Sequence, residues 1–302
     1  MVSVQTVTSW GKDVWQSWSE DDGGTLAASV AFYAIFSLAP LLVLAVAIAG
    51  LVFGEQAAQG QLTAQIEQWV GSAGAEAVQT MLASAGQPGG GGIVATIVSL
   101  ALLFYGASKV LLQLQKALNR VWNVRPDPEG GLREVVRKRL MGFVLVLGIG
   151  VFLIALIALS TFLGNIETLV GNVPGGASIW MVLNFAIQVA LITVLFGAVF
   201  KYIPDVEIAW SDVWRGAGLT ALLFVLGQFA LSLYLSTASV GSAYGAAGSL
   251  VALLAWIFYS TQILFLGAEF TDVYMRRRGR RIKPDKHAVR EERGFSREEQ
   301  PV

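Results

Sequence analysis

Residues 26–53 read LAASVAFYAIFSLAPLLVLAVAIAGLVF, a run without one charged side chain. A helix rising about 1.5 Å per residue needs roughly 20 apolar residues to cross a hydrocarbon core of about 30 Å. This run is longer than that. In lipid the backbone must satisfy its own hydrogen bonds, so the run is predicted to be a membrane-spanning helix and not a strand. Five further stretches qualify: 93–108, 140–163, 179–200, 216–236 and 249–270. The second is short but extends past Lys109, whose long stem lets its ammonium snorkel to the interface. The expected fold class is all-α: a polytopic membrane protein built as a bundle of six transmembrane helices with interfacial amphipathic helices.

Composition agrees. The chain is 55% hydrophobic and 14% charged, where soluble domains carry about 25% charged residues. Its mean hydropathy is +0.61. Formal net charge is zero, so only the distribution of charge is informative. The absence of cysteine removes disulfides, thiolate metal sites and a cysteine nucleophile. Residues 1–24 carry Lys12, Asp13, Glu20, Asp21 and Asp22 with three tryptophans, unlike a cleavable signal peptide, so the first span is expected to be retained.

Cations sort to one side. All 21 Lys and Arg residues fall in the N-terminal segment, between spans two and three, between spans four and five, or in the C-terminal tail. None falls in 54–92, 164–178 or 237–248. The positive-inside rule then predicts both termini in the cytoplasm of a multi-pass membrane protein. Three regions follow: a cytoplasmic interfacial helix within 1–25, a transmembrane domain 26–275 and a basic tail 276–302, which its charged composition predicts to be disordered.

Two segments outside the spans have helical periodicity. Trp10, Val14 and Trp18 share a face, and tryptophan partitions to the headgroup level, so residues 8–19 read as an interfacial helix. Within 54–92, Leu62, Ile66, Trp69, Val70, Ala73, Ala77 and Met81 recur against Gln61, Gln65, Gln68 and Glu76. That is an outer amphipathic helix with a break expected near Gly71 and Gly74. It either caps the bundle or acts as a lid.

Soluble-type chemistry has little to build on. The single histidine, His287, lies in the tail, and no glycine-rich phosphate loop followed by Lys and Ser/Thr exists, so no cofactor, metal site, ATP site or enzymatic activity is expected. The tail cations lie where topology already requires them and lack interleaved aromatics. Membrane lipid is the expected partner, with anionic lipid at the basic segments and no nucleic acid; a homo-oligomer is allowed.

Polarity within the spans marks the candidate path. Ser29, Tyr33 and Ser37 are spaced four apart, with Pro40 expected to kink the helix. Asn184 and Gln188 are one turn apart, and Gln228, Ser232 and Ser236 repeat the four-residue spacing. Tyr259, Gln262 and Glu269 stack on one side of the last span. Ser29, Tyr33, Ser37, Pro40, Gln228, Ser232, Tyr259, Gln262 and Glu269 are therefore candidate substrate-path residues, against the alternative that such stripes bind helices to one another. For Glu269, a structural ion pair with Lys109 or Arg215 stands beside a proton- or substrate-coupling role. The run 241–248, rich in Gly, Ala and Ser, allows close packing or an outer hinge.

Several motifs in order carry a resemblance. Leu26–Tyr33 leading to Ser37–Leu41, then Ala117–Trp122, Tyr202–Asp205 with Trp210 and Gly216–Ala217, then Tyr244–Gly245 and Gly267–Phe270 resemble the YihY/virulence factor BrkB family of bacterial inner-membrane proteins. The resemblance covers roughly residues 10 to 275. It implies six membrane helices and places Tyr33, Ser37, Pro40 and Glu269 at characteristic positions. Family members have been labelled ribonuclease BN, a label that lacks its chemistry here because one tail histidine cannot form a His/Asp metal cluster. Family proposals lean toward transport or export, including of lipid. The expected function is a transporter or exporter of a small or amphipathic solute, not ATP-driven by itself; the alternative is a non-transporting envelope scaffold that binds partners.

Overall fold

The computed structural model describes residues 4–86, 92–127, 176–237 and 247–291 apart from 281 and 287, with isolated positions between 140 and 159. Among the described residues eight helices and four short strands follow one another in this order. Helix α1 is Val4–Glu20, α2 is Gly23–Phe53, α3 is Glu55–Val70, α4 is Ser72–Gly86 and α5 is Gly92–Val121. Strand β1, Val124–Pro126, precedes α6, Gly176–Tyr202; β2, Val206–Glu207, precedes α7, Trp210–Thr237; and α8, Gly248–Arg277, leads to β3, Lys283–Pro284, and β4, Ala288–Arg290. The protein is all-α apart from these short strands.

Three helices among the described residues are long and apolar enough to cross a membrane: α6 from Trp180, α7 to Leu231, and α8. A fourth candidate is the pair Thr8–Glu20 and Gly23–Ala39, bent by 61°. That bend falls where Asp22 adopts the left-handed conformation at φ 54°. Helix α5 continues as one element past Lys109 to Val121, as the unbroken apolar stripe predicts. The third expected span, 140–163, lies mostly outside the described residues.

Glycine places the turns at the other end of α2. Gly54, at φ 84°, takes a conformation that a side chain disfavours, and its N–H caps the helix on the Gly50 carbonyl. Gly71, at φ 85°, likewise ends α3 on the Glu67 carbonyl. The predicted outer amphipathic segment is thus a pair of helices broken at Gly71. Leu62 and Val78 from this pair are buried with Leu42 and Val46 of α2, while Val70 and Ala77 pack with Leu253 of α8. It caps the bundle's far end.

Helix α2 lies against α5 and α8, α6 against α7, and α7 against α8. Hydrophobic burial gives little drive between helices that lipid already solvates, so small residues and close van der Waals contact decide how they associate. The α7–α8 crossing is reciprocal. A Cβ added to Gly216 of α7 would lie 1.8 Å from Thr271 Oγ1 of α8, and one added to Gly267 of α8 would lie 1.8 Å from Thr220 Oγ1 of α7. Each threonine also donates to the carbonyl of the glycine on its own helix, Thr220 to Gly216 at 2.7 Å and Thr271 to Gly267 at 2.8 Å. These bonds hold each β-branched side chain in the rotamer that enters the opposite notch.

The principal core sits toward the end where α1, α5, α6 and α8 meet the charged segments. Leu118, Val121 and Trp122 pack there with Phe200, Ile208, Val213 and Phe265. The two strand pairs close this charged end: β1 runs antiparallel to β4 with Val124 opposite Arg290, and β2 antiparallel to β3 with Val206 opposite Pro284. The tail from 276 was expected to be disordered, and over its described part it is not. Helix α8 runs through Arg277, and Lys283–Pro284 and Ala288–Arg290 supply both partner strands. Composition misleads here because the tail needs no core of its own: it borrows loop edges for backbone hydrogen bonds, and Ile282 is buried in the existing core.

Candidate functional site

Three of the predicted path residues, Ser29, Ser37 and Tyr259, fall at two helix contacts. On α2, Ser29 Oγ donates to the Leu26 carbonyl at 2.7 Å and accepts from Gln113 Nε2 of α5 at 2.7 Å. Ser37 donates to the Ala34 carbonyl at 3.0 Å and packs on Gly106 of α5, where an added Cβ would meet the Ser37 Cβ at 3.2 Å. Tyr33, half-buried between them in sequence, makes an edge contact with Phe32 at 5.5 Å. The α2 serines are therefore engaged with α5.

The last span looks the other way. Tyr259 of α8 lays its hydroxyl into a notch of α7, since a Cβ added to Gly227 would lie 1.2 Å from that oxygen. Gln228 is the next residue of α7 and, like Gln262 of α8, is half-buried. Pro40 lies within α2 and Ser232 within α7, but their side chains fall outside the described residues. On α6, Gln188 is half-buried and Asn184 is exposed.

Glu269 is 1% exposed within a span-length apolar helix. Its chain neighbours Phe265 and Ala268 are fully buried in the core that also contains Ala27 and Val30 of α2. Of the two cations considered for it, Arg215 pairs with Asp212 at 3.3 Å and stands over the Tyr274 ring, and Lys109 stands over the Tyr105 ring.

The charged end holds a buried polar network that sequence inspection did not single out. Asn119, at the end of α5, donates through Nδ2 to Asp205 Oδ2 at 2.8 Å and accepts from the Asp205 N–H at 2.8 Å. Gln115, one turn earlier, donates to Asp205 Oδ1 at 2.9 Å. The Asp205 carbonyl in turn accepts from the N–H of Asp285 at 2.9 Å. One residue thus joins α5, the α6–β2 turn and the tail. Buried Asp212, in the first turn of α7, accepts from Arg280 at 2.8 Å and from Arg215. Arg120 spans to Asp21 and Asp22 between α1 and α2, Arg276 pairs with Asp272 at 2.7 Å, and Arg277 pairs with Asp13 of α1 at 2.5 Å. The only available signal was that Asn119 and Asp205 fall inside two of the family-like motifs. Among the described residues no group of three or more His, Asp or Glu is placed to hold a metal ion.

At the far end, α3 and α4 enclose an open polar cleft of about 570 Å³ lined by Gln56, Gln59, Thr63, Glu67 and Gln79.

Comparison with known proteins adds a family. The signature of the family described as virulence factor BrkB matches residues 14–292. A UPF0761 membrane protein of Albidiferax ferrireducens is 27% identical over 84% of this chain and 59% of its own length. Another, of Photobacterium profundum, is 29% identical over 81% of this chain and 74% of its own. A Bacillus subtilis protein whose name calls it ribonuclease-like is 20% identical over 89% of this chain and 96% of its own. This chain spans less than two thirds of the Albidiferax relative. No solved structure matches it.

Proposed function

The chain belongs to the virulence factor BrkB family of membrane proteins, and on that premise we propose that it is a non-enzymatic transporter or exporter of a small or amphipathic solute, lipid included. It would work in the bacterial cytoplasmic membrane with six spans, its charged end and both termini facing the cytoplasm, and without an ATP site of its own. The one-sided cations support that orientation. The observation that carries the transport reading is Glu269: a carboxylate 1% exposed within a span-length apolar helix. Ionisable groups held inside membrane helices are expensive and characteristically serve ion or substrate pathways.

The test is transport by purified protein in liposomes, using a fluorescent short-chain phospholipid as the amphipathic solute. Glu269→Gln removes the charge at nearly constant volume. Its expected effect is a loss of transport of about tenfold or more, equal to a barrier rise of about 1.4 kcal/mol, with thermal unfolding unchanged. Equal rates for the variant and the parent would remove Glu269 from the mechanism.

A second reading, a non-transporting envelope scaffold, is favoured by the polar cleft between α3 and α4 at the far end. It predicts that Gln59→Ala with Gln79→Ala abolishes function in cells while Glu269→Gln is silent there. The opposite pattern in a complementation assay supports transport.

A further inference from the structure

Three guanidinium groups converge at the charged end about a single carboxylate and a single ring. Arg215 and Arg280 both reach the buried Asp212, and their own side chains remain 49% and 54% exposed. Arg215 and Arg278 both stand over Tyr274, their guanidinium carbons 5.4 Å and 4.7 Å from its centroid. Nearby Arg276 and Arg277 are matched by Asp272 and Asp13. Two of these three charges thus share Asp212, and the third, Arg278, shares the Tyr274 ring with Arg215 on an exposed surface.

The surroundings place these charges at a defined depth. Arg215 follows Trp214, which is 43% exposed and stacks on Trp210 with ring centroids 5.6 Å apart. Trp210 in turn meets the edge of Tyr202, which is 61% exposed at the end of α6. Exposed Trp and Tyr at the ends of apolar helices lie at the headgroup level of a bilayer. Guanidinium forks bind phosphate oxygens bidentately and are weakly hydrated, so they suit an anion at that depth better than ammonium groups would.

The geometry points to a binding site for the phosphate of an anionic phospholipid, held by Arg215, Arg278 and Arg280, with the acyl chains beside Trp214 and Trp210. Asp212 and Tyr274 keep the guanidinium groups positioned when the site is empty, because each arginine already has one fixed contact. This rests on reading the charged end as lying at the headgroup level of the membrane. It does not require transport, and a silent Glu269→Gln would leave it intact.

The test uses the full chain in phosphatidylcholine vesicles containing a small proportion of dansyl-phosphatidylglycerol, read by energy transfer from tryptophan. The parent protein is expected to enrich the dansyl-phosphatidylglycerol relative to dansyl-phosphatidylcholine. Arg278→Gln, at an exposed position outside the core, should weaken that preference about fivefold, and Arg215→Gln with Arg278→Gln about 25-fold. Arg278→Lys should recover part of it. Unchanged preference in Arg278→Gln, or equal transfer from both lipids in the parent, overturns the proposal. So does displacement of the lipid by millimolar inorganic phosphate, which would make this a free-phosphate site, or by single-stranded RNA. Unfolding of the double variant leaves the decision to Arg278→Gln, whose folding is checked by thermal unfolding.

Discussion

Gly267→Leu is expected to abolish accumulation of folded protein in the membrane, and Gly267→Ala to cost about 2 kcal/mol, within the range of overpacking in well-packed interiors. In a free helix, alanine would be favoured over glycine by roughly 1 kcal/mol. Sterics win here because the new Cβ would lie 1.8 Å from Thr220 Oγ1, 2.8 Å from its Cβ and 3.0 Å from its Cγ2. Thr220 cannot rotate away without giving up its hydrogen bond to the Gly216 carbonyl, and turning would bring another substituent into the same space. Only separation of α7 from α8 relieves the clash. The midpoint of unfolding in detergent measures the loss. Adding Thr220→Ala to Gly267→Ala should return part of it, since two of the three clashing atoms disappear. If the two changes instead add without recovery, the interlocked crossing is not what holds these helices.

Asn119→Leu should produce the other large effect, a loss of about 3 kcal/mol in the same measurement. The substitution keeps the branched side-chain shape and removes two hydrogen bonds to Asp205, one to a carboxylate oxygen and one from its backbone N–H, both 2.8 Å long. Removing a partner from a buried charged group costs more than an ordinary hydrogen bond contributes, because the desolvation already suffered is no longer compensated. Gln115 still donates to Asp205 Oδ1, which is why the loss stops short of the unfolding expected of Gly267→Leu. Because Asp205 also accepts from the Asp285 N–H, the same variant should speed proteolysis of the tail after Arg277. A stable variant with a protected tail would show that the network is dispensable.

The two effects differ in how visible they were beforehand. Gly216 and Gly267 fall in motifs that resemble the family, and small residues in membrane helices suggest close approach. Yet nothing local pairs Gly216 with Thr271 or Gly267 with Thr220, since that depends on the register of two antiparallel helices. Asn119 and Asp205 are 86 residues apart. Each reads alone as an ordinary polar residue at the end of a helix. The polar stripes show the converse difficulty: Ser29 and Ser37 share a face of α2 as their spacing requires, but the neighbour they meet is α5, while Tyr259 meets α7.

What the sequence determined by itself is whatever depends on neighbours along the chain. Uninterrupted apolar runs dictate membrane helices, glycine at 71 dictates the break between the outer helices, and ordered motifs dictate the family. The membrane supplies the reason, because hydrocarbon penalises every unpaired backbone group and so makes helix position a local property. Tertiary structure alone decided which charges became buried, that the tail folds back as two short strands, and that Arg215, Arg278 and Arg280 gather about Tyr274 and Asp212. At the charged end a polar group can stay in water or be buried against a partner, so local composition no longer decides which it does. There the outcome turns on which distant partner can offer a better-placed hydrogen bond than water does.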